Sequence, residues 1–339
     1  MAGVIASPQL EDYQKAAAKW HKELLHLTYY SLKEALKHMT VVLDVRYEEN
    51  FGQSSLGAEF APYKSNMGKD KNLNIVFRTL HTYFGGCVIK FDPNSSVSMI
   101  IGEGQAKMGD ALKSVNIAHE VLRNMAADLG ESLYNALWTA KRNPDGETTA
   151  DLFDGFQTII DAEILAGKIA ADKGNYLELT EEITEINAYD VLKKAIRKAN
   201  VKLRQKQNLI AYMPEYIKDA YEDAYLATHQ AVPYNTKFNQ PKIEGTNATI
   251  ECGSYLENSK YIVLSVKENM LVGMDQMSDQ ETINIAKYES FILTFEATCF
   301  MGTQFRTIDP RMLFVIKLAG GSGSGSASGS GSASGSAAE

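Results

Sequence analysis

Cysteine is scarce in this sequence: three residues, Cys87, Cys252 and Cys299, odd in number and far apart. That excludes a disulfide framework and a zinc-binding spacing, and reads as reduced thiols in a cytoplasmic setting. No apolar run approaches the roughly 18 residues of a membrane span, so no membrane partner is expected. Met1-Ala2-Gly3-Val4-Ile5-Ala6-Ser7 lacks the cationic start and apolar core of a secretion signal. Without one, the glycosylation pattern Asn247-Ala248-Thr249 carries no expectation. Positive charge is short too. The 34 Lys and Arg against 42 Asp and Glu leave a net charge of −8. Such a balance argues against a general nucleic-acid or anionic-membrane binder, although it leaves room for a local basic patch.

Catalytic motifs are also wanting. His119-Glu120 begins a zinc-protease pattern, but the position for the second His is Arg123. Gly102-Glu103-Gly104 precedes a helix without the third glycine of a dinucleotide site, and Gly109 is out of place. Asp275, Asp279 and Glu281 cluster without the glycine of a hard-cation loop, and read as solvated turn carboxylates. No Gly-x-Ser-x-Gly turn occurs, and no cysteine has a convincing basic partner. Arg197, Lys198, Lys202, Arg204 and Lys206 read as the solvated side of an amphipathic helix, with phosphate contact as the alternative. The expectation is therefore no catalytic residue, no cofactor and no metal.

What is present is a mixed α+β pattern. Residues 319–339 stand apart as an engineered Gly/Ser/Ala linker, too poor in apolar side chains to fold. Residues 8–39 are predicted helical, with a sparse stripe of Leu24, Leu27, Leu32 and Leu36 beside Trp20, Tyr29 and Tyr30. Such a helix needs a partner surface, from its own chain or a neighbouring subunit. Val41–Val45 is a short β run and 50–57 is turn-rich. Leu73–Leu80 and Cys87–Phe91 are predicted to form a long hairpin too poor in apolar residues to make its own core. The strongest helix falls at 106–142, where Ile117, Val121, Met125, Leu129, Leu133 and Leu137 recur every four residues. Residues 151–230 hold several helices and a short strand at 209–213 stopped by Pro214. Residues 240–318 are mostly strand.

This order of elements resembles the major capsid proteins of tailed bacteriophages, the Hong Kong 97-type fold, over nearly all of residues 1–318. Three stretches carry the resemblance. Residues 73–93, Leu73 through Pro93, are similar to the returning strand and exit of that family's extended loop. Residues 116–142 resemble its spine helix. Residues 243–275 resemble a late stretch in which Ile243-Glu244-Gly245 opens a loop, Tyr261-Ile262-Val263-Leu264 forms a strand, and Asn269–Asp275 turns back toward the periphery.

The resemblance implies an N-terminal arm at 1–45 and an extended β-hairpin loop at 46–100. It implies a peripheral domain with the spine helix at 101–150 and 276–318, and an axial domain at 151–275. It further implies a structural, non-enzymatic subunit that self-assembles into hexamers and pentamers of an icosahedral shell. The shell encloses phage DNA without sequence-specific binding, in a virion assembled in the host bacterial cytoplasm. Separate scaffolding and portal proteins are expected partners, because only some 40 residues precede the loop. Some members form Lys–Asn isopeptide bonds. Lys64, Lys69 and Lys71 lie in the loop here, but no Asn and Glu partners are identified, and crosslinking is not predicted. Expected assembly residues are Phe51, Leu56, Phe60, Tyr63, Phe77 and Arg78 in the loop, and Trp20, Leu24, Tyr29 and Tyr30 in the arm. Two other readings stay open: an encapsulin-like compartment that encloses a cargo enzyme, and an unrecognised enzyme with a pocket of converging titratable groups.

Overall fold

The computed structural model describes residues 9–30, 32–55, 62, 74–93, 114–229, 242–274, 283–289 and 292–319. Helix α1 (Leu10–Tyr30) bends at Trp20, whose φ of −109° and ψ of 20° leave the helical range. Helix α2 (Leu32–Leu36) follows, and then the 26-residue helix α3 (Ser114–Thr139). The four-residue repeat explains how α3 serves two cores. Each step of four overshoots a full turn by about 40°, so the apolar stripe winds by about 160° between Val121 and Leu137. Its first half, with Ala118, Val121 and Leu122, packs on Tyr13, Ala16 and Leu24 of α1. Its second half, with Leu133, Leu137 and Trp138, enters the central core. There the buried Trp138 Nε1 donates to Ser259 Oγ at 2.8 Å, which satisfies the one polar atom of the indole.

The first sheet runs β1 (Thr40–Val42), β9 (Met270–Met274), β11 (Ile292–Phe305), β10 (Ile283–Glu289), with β4 (Tyr83–Phe91) also paired to β11. The 14-residue β11 joins these partners: β4 and β10 flank one end and β9 pairs the other.

The second sheet runs β5 (Tyr176–Glu178), β12 (Leu313–Lys317), β8 (Tyr261–Val266), β6 (Leu209–Tyr212), β7 (Thr249–Glu251). It is covered on both faces. Ile210, Tyr212, Val263, Leu313 and Val315 point into the central core with α3 and α4 (Phe156–Leu165). Their sequence neighbours Leu209, Ala211, Ile262, Leu264 and Phe314 point the other way, against α5 (Ala188–Lys198) and α7 (Glu215–His229). The short α6 (Val201–Arg204) lies between those helices in sequence. Two-sided burial is why these strands are continuous apolar runs and not alternating ones. Asn269, fully buried, ties the two sheets together. Its Nδ2 donates to Ser265 Oγ at 3.0 Å, and its Oδ1 accepts from the Thr307 N–H at 2.9 Å.

Three expectations are corrected here. The strand at 313–317, grouped by sequence order with the spine helix, is hydrogen-bonded to β8 and β5 in the second sheet. The strand at 270–274, grouped with the axial part, pairs with β1 and β11 in the first. Each crosses over because the turn beside it, at Asn269 or after Phe305, passes between the sheets. The long hairpin is also built differently. Its arms are β2 (Glu48–Ser55) and β3 (Asn74–His81), so the stretch read as turn-rich at 50–55 is a strand. The run at 87–91 belongs to β4 and lies in the first sheet beside β11.

Candidate assembly surface

The hairpin leaves the body through a narrow root. Asp44 and Tyr47, with φ of 61° and 69°, take the left-handed turn geometry that redirects the chain out of β1. Gly273 and Gly302 face each other across β9 and β11. A Cβ on Gly302 would sit 1.9 Å from the His81 carbonyl oxygen, and one on Gly273 would sit 2.7 Å from Thr82 Cγ2. The two glycines therefore clear a floor on which the end of β3 crosses the sheet. Thr82 Oγ1 donates to the Val45 carbonyl at 3.0 Å, and Leu80 closes a small core with Val45 and Leu271.

Arg78 locks the root. Its Nη1 lies 2.8 Å from Glu163 Oε1 on α4, its Nε donates to the Phe305 carbonyl at 2.9 Å, and its Nη2 donates to Gln304 Oε1 at 2.8 Å. Both side chains of the ion pair are nearly buried, at 10% and 12% exposure. Arg78, expected among the assembly residues, has its guanidinium satisfied within its own chain. Phe51 is half-buried against the Leu80 cluster. Leu56, Phe60 and Tyr63 lie outside the described residues, as do Lys64, Lys69 and Lys71.

Beyond the root the ribbon is bare. Val76 and Phe77 are 57% and 64% exposed. Adjacent strand residues point to opposite faces, so each face of the ribbon carries one of these exposed side chains. The cross-strand neighbour of Phe77 is Gly52, which has no side chain to shelter it. A second apolar row runs along β4, where strict alternation leaves Phe84 and Val88 at 49% and 64% exposure. Sequence reading passed over Val76, Phe84 and Val88. The period-two pattern of 83–91 was the available signal, since the glycines Gly85 and Gly86 hide it from a simple apolar count.

The arm finds its partner at home. Leu24 is fully buried against α3. Trp20 stacks on His119 with ring centroids 4.2 Å apart, and His119 Nε2 lies 3.6 Å from Glu23 Oε1. The described part of the α1 stripe packs on the spine helix of its own chain. Tyr29 and Tyr30 end α1, and their side chains lie outside the described residues.

Next to α2 sits a half-buried acid–imidazole contact. His38 Nε2 is 3.1 Å from Glu251 Oε2 on β7. Tyr212 donates its hydroxyl to the His38 carbonyl, and the Tyr255 hydroxyl lies 3.4 Å from Glu251 Oε1. Burial pushes the Glu251 carboxyl up to about 7, against the favourable Tyr255 bond and with Glu34 adding repulsion. Burial also lowers His38, helped by Lys267 and Lys37. Both shifts favour the uncharged forms of acid and base.

The chemistry elsewhere is thin. A cavity of about 460 Å³ lies between β4, α3 and the 142–152 loop. Its cation, Arg142, donates to the Leu152 carbonyl at 3.1 Å and stacks over Tyr83. Burial raises the Cys87 thiol in its wall, which disfavours a nucleophilic thiolate. Among the described residues, no three His, Cys, Asp or Glu side chains are grouped to hold a metal ion, and no helix is long and apolar enough to cross a membrane. The residues 102–104, 109, 275, 279 and 281 lie outside the described set.

No family model matches the sequence, and no curated protein matches it. Solved structures do match. A chain of the satellite phage P4 procapsid, which includes the size determination protein Sid, aligns over 88% of this chain and 90% of its own, with 9% identity and a TM-score of 0.55. The capsid of a native GTA particle aligns over 84% and 89%, with 12% identity and a TM-score of 0.55. The capsid of cyanophage A-1(L) aligns over 85% and 92%, with 12% identity and a TM-score of 0.53. At such identities the likeness is one of fold: this chain has the α+β fold of tailed-phage capsid proteins, the Hong Kong 97-type fold.

Proposed function

We propose that this chain is a structural shell subunit, not an enzyme, which self-assembles into hexamers and pentamers of an icosahedral capsid around phage DNA. The observation that carries the reading is the hairpin: a two-stranded ribbon, locked at its root by Arg78, presents Val76 and Phe77 on opposite faces, each more than half exposed. Exposed apolar surface on a rigid projection is a docking element, and the fold it projects from is that of capsid subunits. On this reading 1–45 is the arm, 46–100 the extended loop, 101–150 with 276–318 the peripheral domain and 151–275 the axial domain, with β9 and β12 exchanged between the last two by their strand pairing. Scaffolding and portal proteins act from separate chains.

Electron microscopy and mass photometry of the purified chain test the proposal. The expected outcome is closed particles, or capsomers of five and six copies, that protect DNA from nuclease. A monomer at high concentration, with scaffolding protein supplied, overturns it. Particles that instead retain a cargo protein and no DNA assign the shell to an encapsulin-like compartment.

A further inference from the structure

The two helices that cover the outer face of the second sheet carry opposite charge on opposite flanks. Helices α5 and α7 lie side by side and antiparallel. Tyr189 at the start of α5 meets Tyr225 and His229 at the end of α7, with ring centroids at 5.5 and 5.1 Å. At about 100° per residue, Lys194 and Lys198 fall on the side of α5 turned away from this seam. Arg197 and, past the helix end, Lys202 extend the row, and all four are exposed. Residues 193–206 contain seven cations and no acid. On α7 the side turned away from the seam carries Asp223 with Asp219 beside it, and Glu215 adds negative charge at the start of the helix; all three are exposed. Glu182 adds to it, close enough to raise the Tyr216 hydroxyl together with burial.

Neither row is neutralised at home. Among the described residues, Lys194, Arg197, Lys198 and Lys202 form no ion pair within the chain, and neither do Glu182, Glu215, Asp219 and Asp223. Each flank also exposes one large apolar side chain: Val201 at 58% on the basic side and Tyr216 at 55% on the acidic side. A surface that carries complementary patches on two different flanks joins copies head to tail, and a head-to-tail contact closes into a ring when its rotation allows.

We infer that the basic flank of α5–α6 docks onto the acidic flank of α7 in the next copy of this chain, as a charge-matched contact that closes the ring of axial domains. The inference rests on the shell reading and adds to it the contact that sets subunit order around the ring. It also gives the 197–206 run a protein partner instead of solvent or nucleic acid.

The test uses the full chain with charge reversals on one flank at a time. Lys194→Glu with Lys198→Glu weakens association at least tenfold, and so does Asp219→Lys with Asp223→Lys, with thermal midpoints unchanged because all four positions are exposed. All four reversals together restore association, since attraction returns with the signs exchanged. Added salt weakens the wild-type contact and the restored one alike. Normal capsomers from either single-flank variant overturn the inference and leave the shell reading intact, as does a four-fold variant that stays dissociated. Loss of enclosed DNA from the basic-flank variant alone, with assembly unaffected, assigns the cations to nucleic acid and also overturns it. A wild-type chain that never self-associates sinks both readings at once.

Discussion

The second sheet and the hairpin are both β structure, and they solve opposite problems. Strands β6 and β8 are buried at every position, because α3 and α4 cover one face and α5 and α7 the other. Strands β2 and β3 form a two-stranded ribbon in which consecutive apolar residues, Val76 and Phe77, are both more than half exposed. An isolated two-stranded hairpin is marginal in water. Among the described residues this one is held at its root, by Arg78 and by the glycine floor of Gly273 and Gly302. The second sheet finishes its burial within the chain, while Val76 and Phe77 of the hairpin stay more than half exposed; on the proposed reading, the first folds the monomer and the second joins monomers.

The sharpest way to break that contrast is in the closed core. Phe314 on β12 is 2% exposed and packs against the α5–α7 layer. Phe314→Ala leaves a cavity and costs about 3–5 kcal/mol, a large share of the stability of such a domain. Urea denaturation is expected to show an early midpoint or an unfolded chain. A loss under about 1 kcal/mol would mean that this face is looser than its burial indicates.

Next in size is the root. Arg78→Met removes one partner of a nearly buried ion pair and strands Glu163, with only Lys168 left at 3.3 Å. Breaking such a pair from one side costs about 3 kcal/mol. Arg78→Lys recovers little, since an ammonium cannot hold Glu163, Gln304 and the Phe305 carbonyl together. Adding Glu163→Gln to Arg78→Met recovers part of the loss by relieving the stranded charge. A double variant no more stable than Arg78→Met alone contradicts the ion-pair account.

A smaller effect is set by pH at the contact between α2 and β7. The folded Glu251 carboxyl is raised from its ordinary 4.5 to about 7, so protonation favours the folded state. Its contribution is complete below pH 4.5 and is lost as pH rises through about 7. His38, which is lowered, works in the opposite sense below its ordinary 6.5. Because Glu251 touches His38, the difference between wild type and Glu251→Gln reports the carboxyl together with its coupling to the imidazole. It is expected to be near zero at pH 4 and to favour the variant by about 2 kcal/mol at pH 8. A difference that does not change with pH removes the carboxyl from the account.

The sequence made some of this legible and concealed the rest, for physical reasons. Helix α3 announced itself because six apolar residues at one spacing have no other reading, and β8 because an unbroken apolar run implies cover on both faces. Pairing was hidden. Strand β12 joins β8 from some 50 positions away and β5 from nearly 140, and nothing local in Leu313–Lys317 marks those partners. Strand β2 was taken for a turn because Phe51 is the only large apolar side chain in Glu48–Ser55. The role of Arg78 was invisible for the same reason: Glu163 and Gln304 are distant in sequence and lie on different elements. Of the exposed hairpin, only its poverty in apolar residues is legible in the sequence, because that is a local property; which strands pair in it is not.

The smallest effect on stability belongs to the residue with the largest expected effect on assembly. Phe77 is 64% exposed and its cross-strand neighbour is Gly52, so the monomer gains almost nothing from the ring. Phe77→Ser is expected to change the unfolding free energy by less than about 0.5 kcal/mol, as exposed substitutions usually do. If the ring docks on a neighbour, its loss removes a buried aromatic from every such contact, and interface aromatics of this kind carry about 2 kcal/mol or more each. A shell repeats the contact many times, so mass photometry should show free subunits where wild type forms particles. Val76→Ser, on the opposite face of the ribbon, reports whether one side or both are covered. Particles of normal size and yield from both variants would assign the exposed ribbon to something other than assembly, and would leave the closed second sheet as the only half of the comparison with a defined role.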